Sequence, residues 1–269
     1  MFSWIRISAV SLLFSAVLVL PLQAQNTEQV EVGPPPLHRA DPPAPGATPE
    51  ELEQRGDELR VAKNFLDAID YYHAALKGAP GNASLFNKIG MCQLQMHRDK
   101  EAKKSFERSV KADPNHADAY NNLGAAYYDM HNNNAAIRYY EKAISLNNDA
   151  ASYYSNLGTA YFGKRQFEKA IQCYAKAVGL DPEVFDRSSH AGLQARLASP
   201  EDRAHYDYVL AKMYARAGVP DRSLRYLKKA MEEGYSNIKD VYKDNEFSTL
   251  RKDPRFAELM AAKTTAIPN

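Results

Sequence analysis

Ala117-Asp-Ala-Tyr-Asn-Asn-Leu-Gly-Ala-Ala-Tyr127 lays directly over Ala151-Ser-Tyr-Tyr-Ser-Asn-Leu-Gly-Thr-Ala-Tyr161, thirty-four residues further on. Blocks of the same length begin at Pro49, Ala83, Ala117 and Ala151 and abut without gaps. Within the third block Tyr120, Leu123, Gly124 and Tyr127 fall at i, i+3, i+4 and i+7, one stripe of a helix. Ala136, Tyr140 and Ala143 form such a stripe on a second helix. A small residue recurs as Gly56, Gly90, Gly124 and Gly158, where a side chain would hold the paired helices apart. Ala68, Ala102, Ala136 and Ala170 give the matching small site, and Tyr72, Phe106, Tyr140 and Tyr174 supply the bulk between pairs. Pro80, Pro114 and Pro182 are expected to end their second helices, since proline cannot continue one; Asn148 is the milder breaker in the third block.

This period and pattern resemble the tetratricopeptide repeat, and the resemblance covers most of the chain beyond Pro49. It implies an all-α, right-handed superhelical solenoid of about five helix-turn-helix repeats. The expected units are 49–82, 83–116, 117–150, 151–184 and 204–237. In the fifth, Leu210, Ala211, Tyr214, Ser223, Leu227 and Ala230 take the repeat roles, with a turn at Gly218. Asp207 stands where bulk is expected, so Tyr206 or Tyr208 must substitute. Residues 185–203 break the pattern as an irregular insertion and helix start, with Ser199 as cap and Pro200 in the first turn. Residues 238–269 read as a helical cap and tail, with Phe247, Leu250, Phe256, Leu259 and Met260 covering the last exposed face.

Residues 1–24 read as a secretory signal: Arg6, then an almost wholly apolar run from Ala9 to Leu22, with cleavage expected after Ala24. An uncleaved N-terminal membrane anchor is the alternative, although the run is shorter than the ~20 residues a spanning helix needs and Pro21 interrupts its end. Residues 25–48 are expected to form a disordered proline-rich linker that holds the folded part away. The protein is therefore expected outside the cytoplasm, in the periplasm or beyond the cell. Cys92 and Cys173 lie two repeats apart, too far to pair, and read as separate buried thiols.

With 34 basic and 33 acidic residues the net charge is +1, which gives no electrostatic reason to expect nucleic acid. No phosphate loop, dinucleotide fingerprint or nucleophile turn is visible, so no enzyme activity and no cofactor are expected. His97 and His131 occupy equivalent turns of neighbouring units, too far apart for one metal ion, so no metal site is expected. Ser188, Ser189 and His190 read as a surface loop, and 185–198 as a secondary partner-binding segment.

The resemblance implies that another protein or peptide is held in a concave groove. On helical angles the open face of the second unit carries Asn87, Lys88 and Met91, flanked by Leu94. In the third it carries Asp118, Asn121, Asn122, Ala125 and Asp129, flanked by Tyr128. In the fourth it carries Ser152, Ser155, Asn156 and Thr159, flanked by Phe162. Side-chain amides both donate and accept, and Asn122 and Asn156 resemble the asparagine ladder with which some members of the family hold an extended chain. The alternative is a row of ordinary solvated helix faces. A basic carboxylate clamp is not expected, because Glu53 and Asp57 occupy its positions in the first unit. Two other roles compete with a binding groove: a self-assembling envelope component, and an accessory subunit of an envelope enzyme.

Overall fold

The computed structural model describes residues 40–186 and 199–262, and within these the chain is helical with no strand. Eight helices form four pairs. These are α1 (Pro49–Val61) with α2 (Phe65–Gly78), and α3 (Ala83–Gln95) with α4 (Asp99–Ala112). They continue as α5 (Ala117–Asp129) with α6 (Asn133–Leu146), and α7 (Ala151–Gly163) with α8 (Phe167–Leu180). A fifth pair is α9 (Pro200–Arg216) with α10 (Pro220–Glu232). The second helices end two residues before Pro80, Pro114, Asn148 and Pro182, as expected for breakers at those places.

The small-large pattern has a direct physical cause. A Cβ built on Gly90 would stand 2.5 Å from the Phe106 ring, and one on Gly124 2.7 Å from that of Tyr140. The aromatic ring of each second helix occupies the space that a Cβ on its first helix would need, so the glycine lets the pair close. Ala68, Ala102, Ala136 and Ala170 are wholly buried on the facing side. Between helices the chain reverses through one left-handed residue, Lys63, His97, His131 or Arg165 (φ 57 to 62°), and Gly218 does the same in the fifth unit. The next amide reaches back five residues, as in Arg98 N–H to the Gln93 carbonyl (2.9 Å), which satisfies an orphan carbonyl of the helix end.

Successive first helices α3, α5 and α7 touch one another as well as the second helix between them, whereas contact between successive second helices is slighter. The stack therefore bends toward its first helices, and their free faces line its inner side.

The helical tail consists of three 3-10 turns (Ile238–Tyr242, Asn245–Phe247 and Leu250–Lys252) and a short α11 (Pro254–Ala261). The i, i+3 spacing of Phe247 and Leu250 suits the three-residue period of such turns, and both side chains are buried with Phe256 over the fifth pair. The C-terminal part of the proline-rich stretch does not stand away from the fold. Ala40 and Ala47 pack on the first unit, the Tyr71 hydroxyl donates to the Asp41 carbonyl (3.1 Å), and Thr48 and Glu51 form a reciprocal cap at the start of α1. Cys92 is buried but Cys173 only partly so; both are free, and burial pushes their thiols up to about 12 and about 11.

In the fifth pair both Tyr206 and Tyr208 are buried around Asp207, and Ser199 caps α9 by accepting from the Asp202 amide (3.0 Å). Phe185, the first residue of the expected irregular insertion, is buried edge-on against Tyr174 (5.2 Å between centroids). Residues 1–39 and 187–198, including Ser188, Ser189 and His190, lie outside the described residues, as do 263–269.

Candidate inner-face binding site

The inner face is built by a contact that steps thirty-five residues at a time. Lys88 Nζ donates to Glu53 Oε1 (2.7 Å) and to Asp57 Oδ2 (2.6 Å) of the preceding unit. At the same step Asn122 Nδ2 donates to Asn87 Oδ1 (3.0 Å), and Asn156 Nδ2 to Asn121 Oδ1 (3.0 Å). Tyr153 extends the rule, its hydroxyl donating to Asp118 Oδ1 (2.5 Å). The repeat is thirty-four residues long, so a thirty-five-residue step joins each position to the next position of the following unit.

The amides also join sideways. Asn121 Nδ2 donates to Asn122 Oδ1 (3.3 Å), and Asn87 Nδ2 points to the Met91 sulfur (3.9 Å). The result is one directed chain from Asn156 through Asn121 and Asn122 to Asn87, crossing three units. Each amide in its middle uses one donor and one acceptor, which leaves one of each for another molecule.

The expected groove residues divide by exposure. Asp118 and Ser152 are exposed, and Lys88, Met91, Asn122, Ala125, Tyr128, Asp129 and Asn156 are half-buried. Asn87, Leu94, Asn121, Ser155, Thr159 and Phe162 are buried. Leu94 and Phe162 thus belong to the core between units rather than to an open apolar row, because the next first helix packs over them; of that row only Tyr128 reaches the surface. Ser155 and Thr159 turn their hydroxyls onto backbone carbonyls of α7, at Ser152 and Ser155 (both 3.0 Å), a usual way for a helix to satisfy a buried hydroxyl.

Tyr128 and Asp129 open at one edge into a cavity of about 360 Å³, which sequence reasoning missed. Three consecutive turns place His97, His131 and Arg165 along it, Asp99 and Phe167 begin the second helices there, and α9 closes its end with Asp202 and His205. His205 lies between Phe167, tilted at 4.3 Å between centroids, and Tyr235, stacked at 5.3 Å. Burial and the nearby Arg165 hold its imidazole below the ordinary range, so it is neutral at pH 7. The only advance signal was that His97, His131 and Arg165 share one repeat position; α9 joins them only once the chain is folded.

Glu53 and Asp57, which argued against a carboxylate clamp, are matched by Lys88. Burial alone would raise the Asp57 carboxyl, but hydrogen bonds from Lys88 and Tyr72 outweigh it and hold the group below the usual range.

The family model for the tetratricopeptide repeat matches residues 81–149 and again 115–183. No curated protein matches the chain. Among solved structures, the chain is similar to a thermophilic TPR protein of Thermus thermophilus, TTC0263, at 18% identity over 80% of this chain and 100% of that one, with a TM-score of 0.50. It is similar to MamA of Desulfovibrio magneticus RS-1 at 21% identity over 69% of this chain and 94% of that one, with a TM-score of 0.49. Similarity to YrrB, described as a TPR protein with an unusual peptide-binding site, is 18% over 72% of this chain and 90% of that one, with a TM-score of 0.46. The abutting thirty-four-residue units, their paired helices and the family match together make this chain a tetratricopeptide-repeat protein.

Proposed function

We propose that the protein is a non-enzymatic scaffold that holds a peptide segment or a partner's helix against the inner face of its second to fourth units. The observation that carries this reading is the amide chain from Asn156 to Asn87: a line of polar groups across three units, pre-oriented by its own bonds. Half-buried Asn122 and Asn156 keep spare donors and acceptors for a backbone, and holding them rigid lowers the ordering cost of binding. Family membership supports the same class of function, since these repeats mostly bind peptides or proteins. The leader-like pattern of residues 1–24 supports an exported location, so the partner is sought in the cell envelope.

The test is capture from the parent cell's envelope fraction. The native chain is compared with Ser152→Arg, which adds bulk and charge at an exposed inner position, and with Asn122→Ala/Asn156→Ala. Because those asparagines also join units, each variant is first checked for a cooperative melt. A partner retained by the native chain and lost from folded Ser152→Arg supports the inner face. Equal capture by both moves the binding surface elsewhere.

A further inference from the structure

A net charge of +1 hides an uneven distribution. The second helices of units two to four, α4, α6 and α8, hold nine basic and five acidic residues. Their first helices, α3, α5 and α7, hold one basic and two acidic. The repeat orders this excess. Lys104 and Arg138 share one repeat position, which Gln172 continues in the fourth unit. Arg108, Lys142 and Lys176 share the position one helical turn further on. All five cations are exposed, so they form a stripe down three units on the side of the stack away from the inner face.

These cations are held in place without being neutralised. Arg108 lies over the Phe86 ring (4.0 Å to the centroid) and Arg138 over that of Tyr139 (4.9 Å). Lys142 lies over Tyr120 and Lys176 over Tyr154 (both 5.8 Å). A ring face attracts a cation but, unlike a carboxylate, does not cancel its charge. None of the five forms an ion pair among the described residues. The glutamates of the same helices are engaged elsewhere: Glu101 with Arg98 (3.6 Å), Glu107 with Lys103 (3.4 Å) and Glu168 with Arg216 (3.1 Å). Glu141 accepts from the Tyr161 hydroxyl (2.9 Å). The fifth unit is arranged the other way, because Arg222 and Arg225 both reach Asp186.

We propose that this stripe docks the protein on a membrane surface of anionic lipid headgroups. Charge complementarity carries the proposal: five exposed cations with no carboxylate of their own face outward over three units. The row is open along its length, so it meets a layer of anions rather than one enclosed ligand. Its supports fit the same layer, since the half-buried rings of Tyr120, Tyr139 and Tyr154 are apolar bodies with polar tips, the kind that settles at headgroup level. Among the described residues no helix is long and apolar enough to cross a membrane, so the contact is a surface one. Docking through the second helices leaves the first helices free. The proposal therefore does not depend on what the inner face holds.

The test is flotation of the full-length protein with vesicles of phosphatidylcholine, alone or with added phosphatidylglycerol. Residues 1–24 are common to every arm, so only differences between lipids and between variants are read. The native chain is expected to bind the phosphatidylglycerol vesicles more tightly and to be released as salt rises. Lys104→Gln/Arg138→Gln/Lys142→Gln should weaken that binding about a hundredfold, or about fivefold for each charge removed. Lys77→Gln/Lys239→Gln/Lys252→Gln removes as many exposed charges elsewhere and should weaken it about threefold or less. Both variants are first checked for a native melt, and the comparison of lipids on the native chain needs no variant to fold. Equal affinity for the two kinds of vesicle, native affinity in the folded stripe variant, or an equal loss in the second variant would each overturn the proposal. So would stripe-dependent capture of an acidic protein by a chain that ignores the anionic vesicles.

Discussion

The junction between the first two units and the two junctions that follow use the same pair of positions for different chemistry. Glu53 meets Lys88 as an ion pair, whereas Asn87 meets Asn122 and Asn121 meets Asn156 as neutral amides. The ion pair closes on itself: Lys88 is shared between Glu53 and Asp57, and Asp57 also accepts from the Tyr72 hydroxyl (2.8 Å). The amides keep spare capacity. One position in the repeat thus serves as a lock at the N-terminal end and as an open binding line further along. A solenoid is held together by nearest-neighbour interfaces, so such a change of chemistry need not disturb the fold.

The sharpest way to break this comparison is Asn121→Ala. Asn121 is buried and both accepts from Asn156 and donates to Asn122, so its loss strands two partners and is expected to cost about 2–3 kcal/mol in urea denaturation. Asn122→Ala strands buried Asn87 and half of Asn121 and should cost about 1–2 kcal/mol, visible as faster hydrogen exchange in α3 and α5. Either variant melting like the native chain would mean that the amides are only surface decoration.

Lys88→Ala should cost less, about 1 kcal/mol or under, because Glu53 and Asp57 are 27% and 35% exposed and solvent screens what remains. This junction should respond to pH. The Asp57 carboxyl is held low, so its contribution is complete above its unfolded value of about 3.9 and is lost as pH falls through the lower folded one. For Lys88, burial lowers the ammonium pKa, but the hydrogen bonds it donates to Asp57 and Glu53 outweigh it, and the contribution present below about pH 10.4 is lost as pH rises through the higher folded value. Hydrogen exchange in α1 and α2, taken relative to its intrinsic rate, should therefore quicken at acid pH. The smallest effect is expected from a transplant: Asn87→Glu with Asn122→Lys should change stability by roughly 0.5 kcal/mol or less and make the second junction salt-sensitive.

The fold was legible because its signals are local and repeated. Gly90 against Phe106 and Gly124 against Tyr140 are pairs within one unit, sixteen residues apart, and each unit restates the same constraint. The inner face was legible by position but not by bonding. Helical angles found Asn87, Asn122 and Asn156, yet an angle on one helix does not say which neighbour's side chain will meet it. The thirty-five-residue step depends on how units stack, and that stacking also turned Leu94 and Phe162 inward. The cavity was least legible, because α9 follows a break in the repeat and brings Asp202 and His205 to turns some forty to a hundred residues earlier. Short turns such as Asn245–Phe247 carry too few residues to show a period, so the division of the helical tail into separate turns was not legible.

The most direct measurement is photo-crosslinking in the cell that makes the protein. The crosslinker replaces Ser152 on the inner face or Ala175, an exposed residue of the second helix in the same unit. The account predicts that Ser152 gives a discrete adduct with another protein and that Ala175 does not. A discrete adduct from Ala175 with none from Ser152 would contradict it and place the working surface on the second helices.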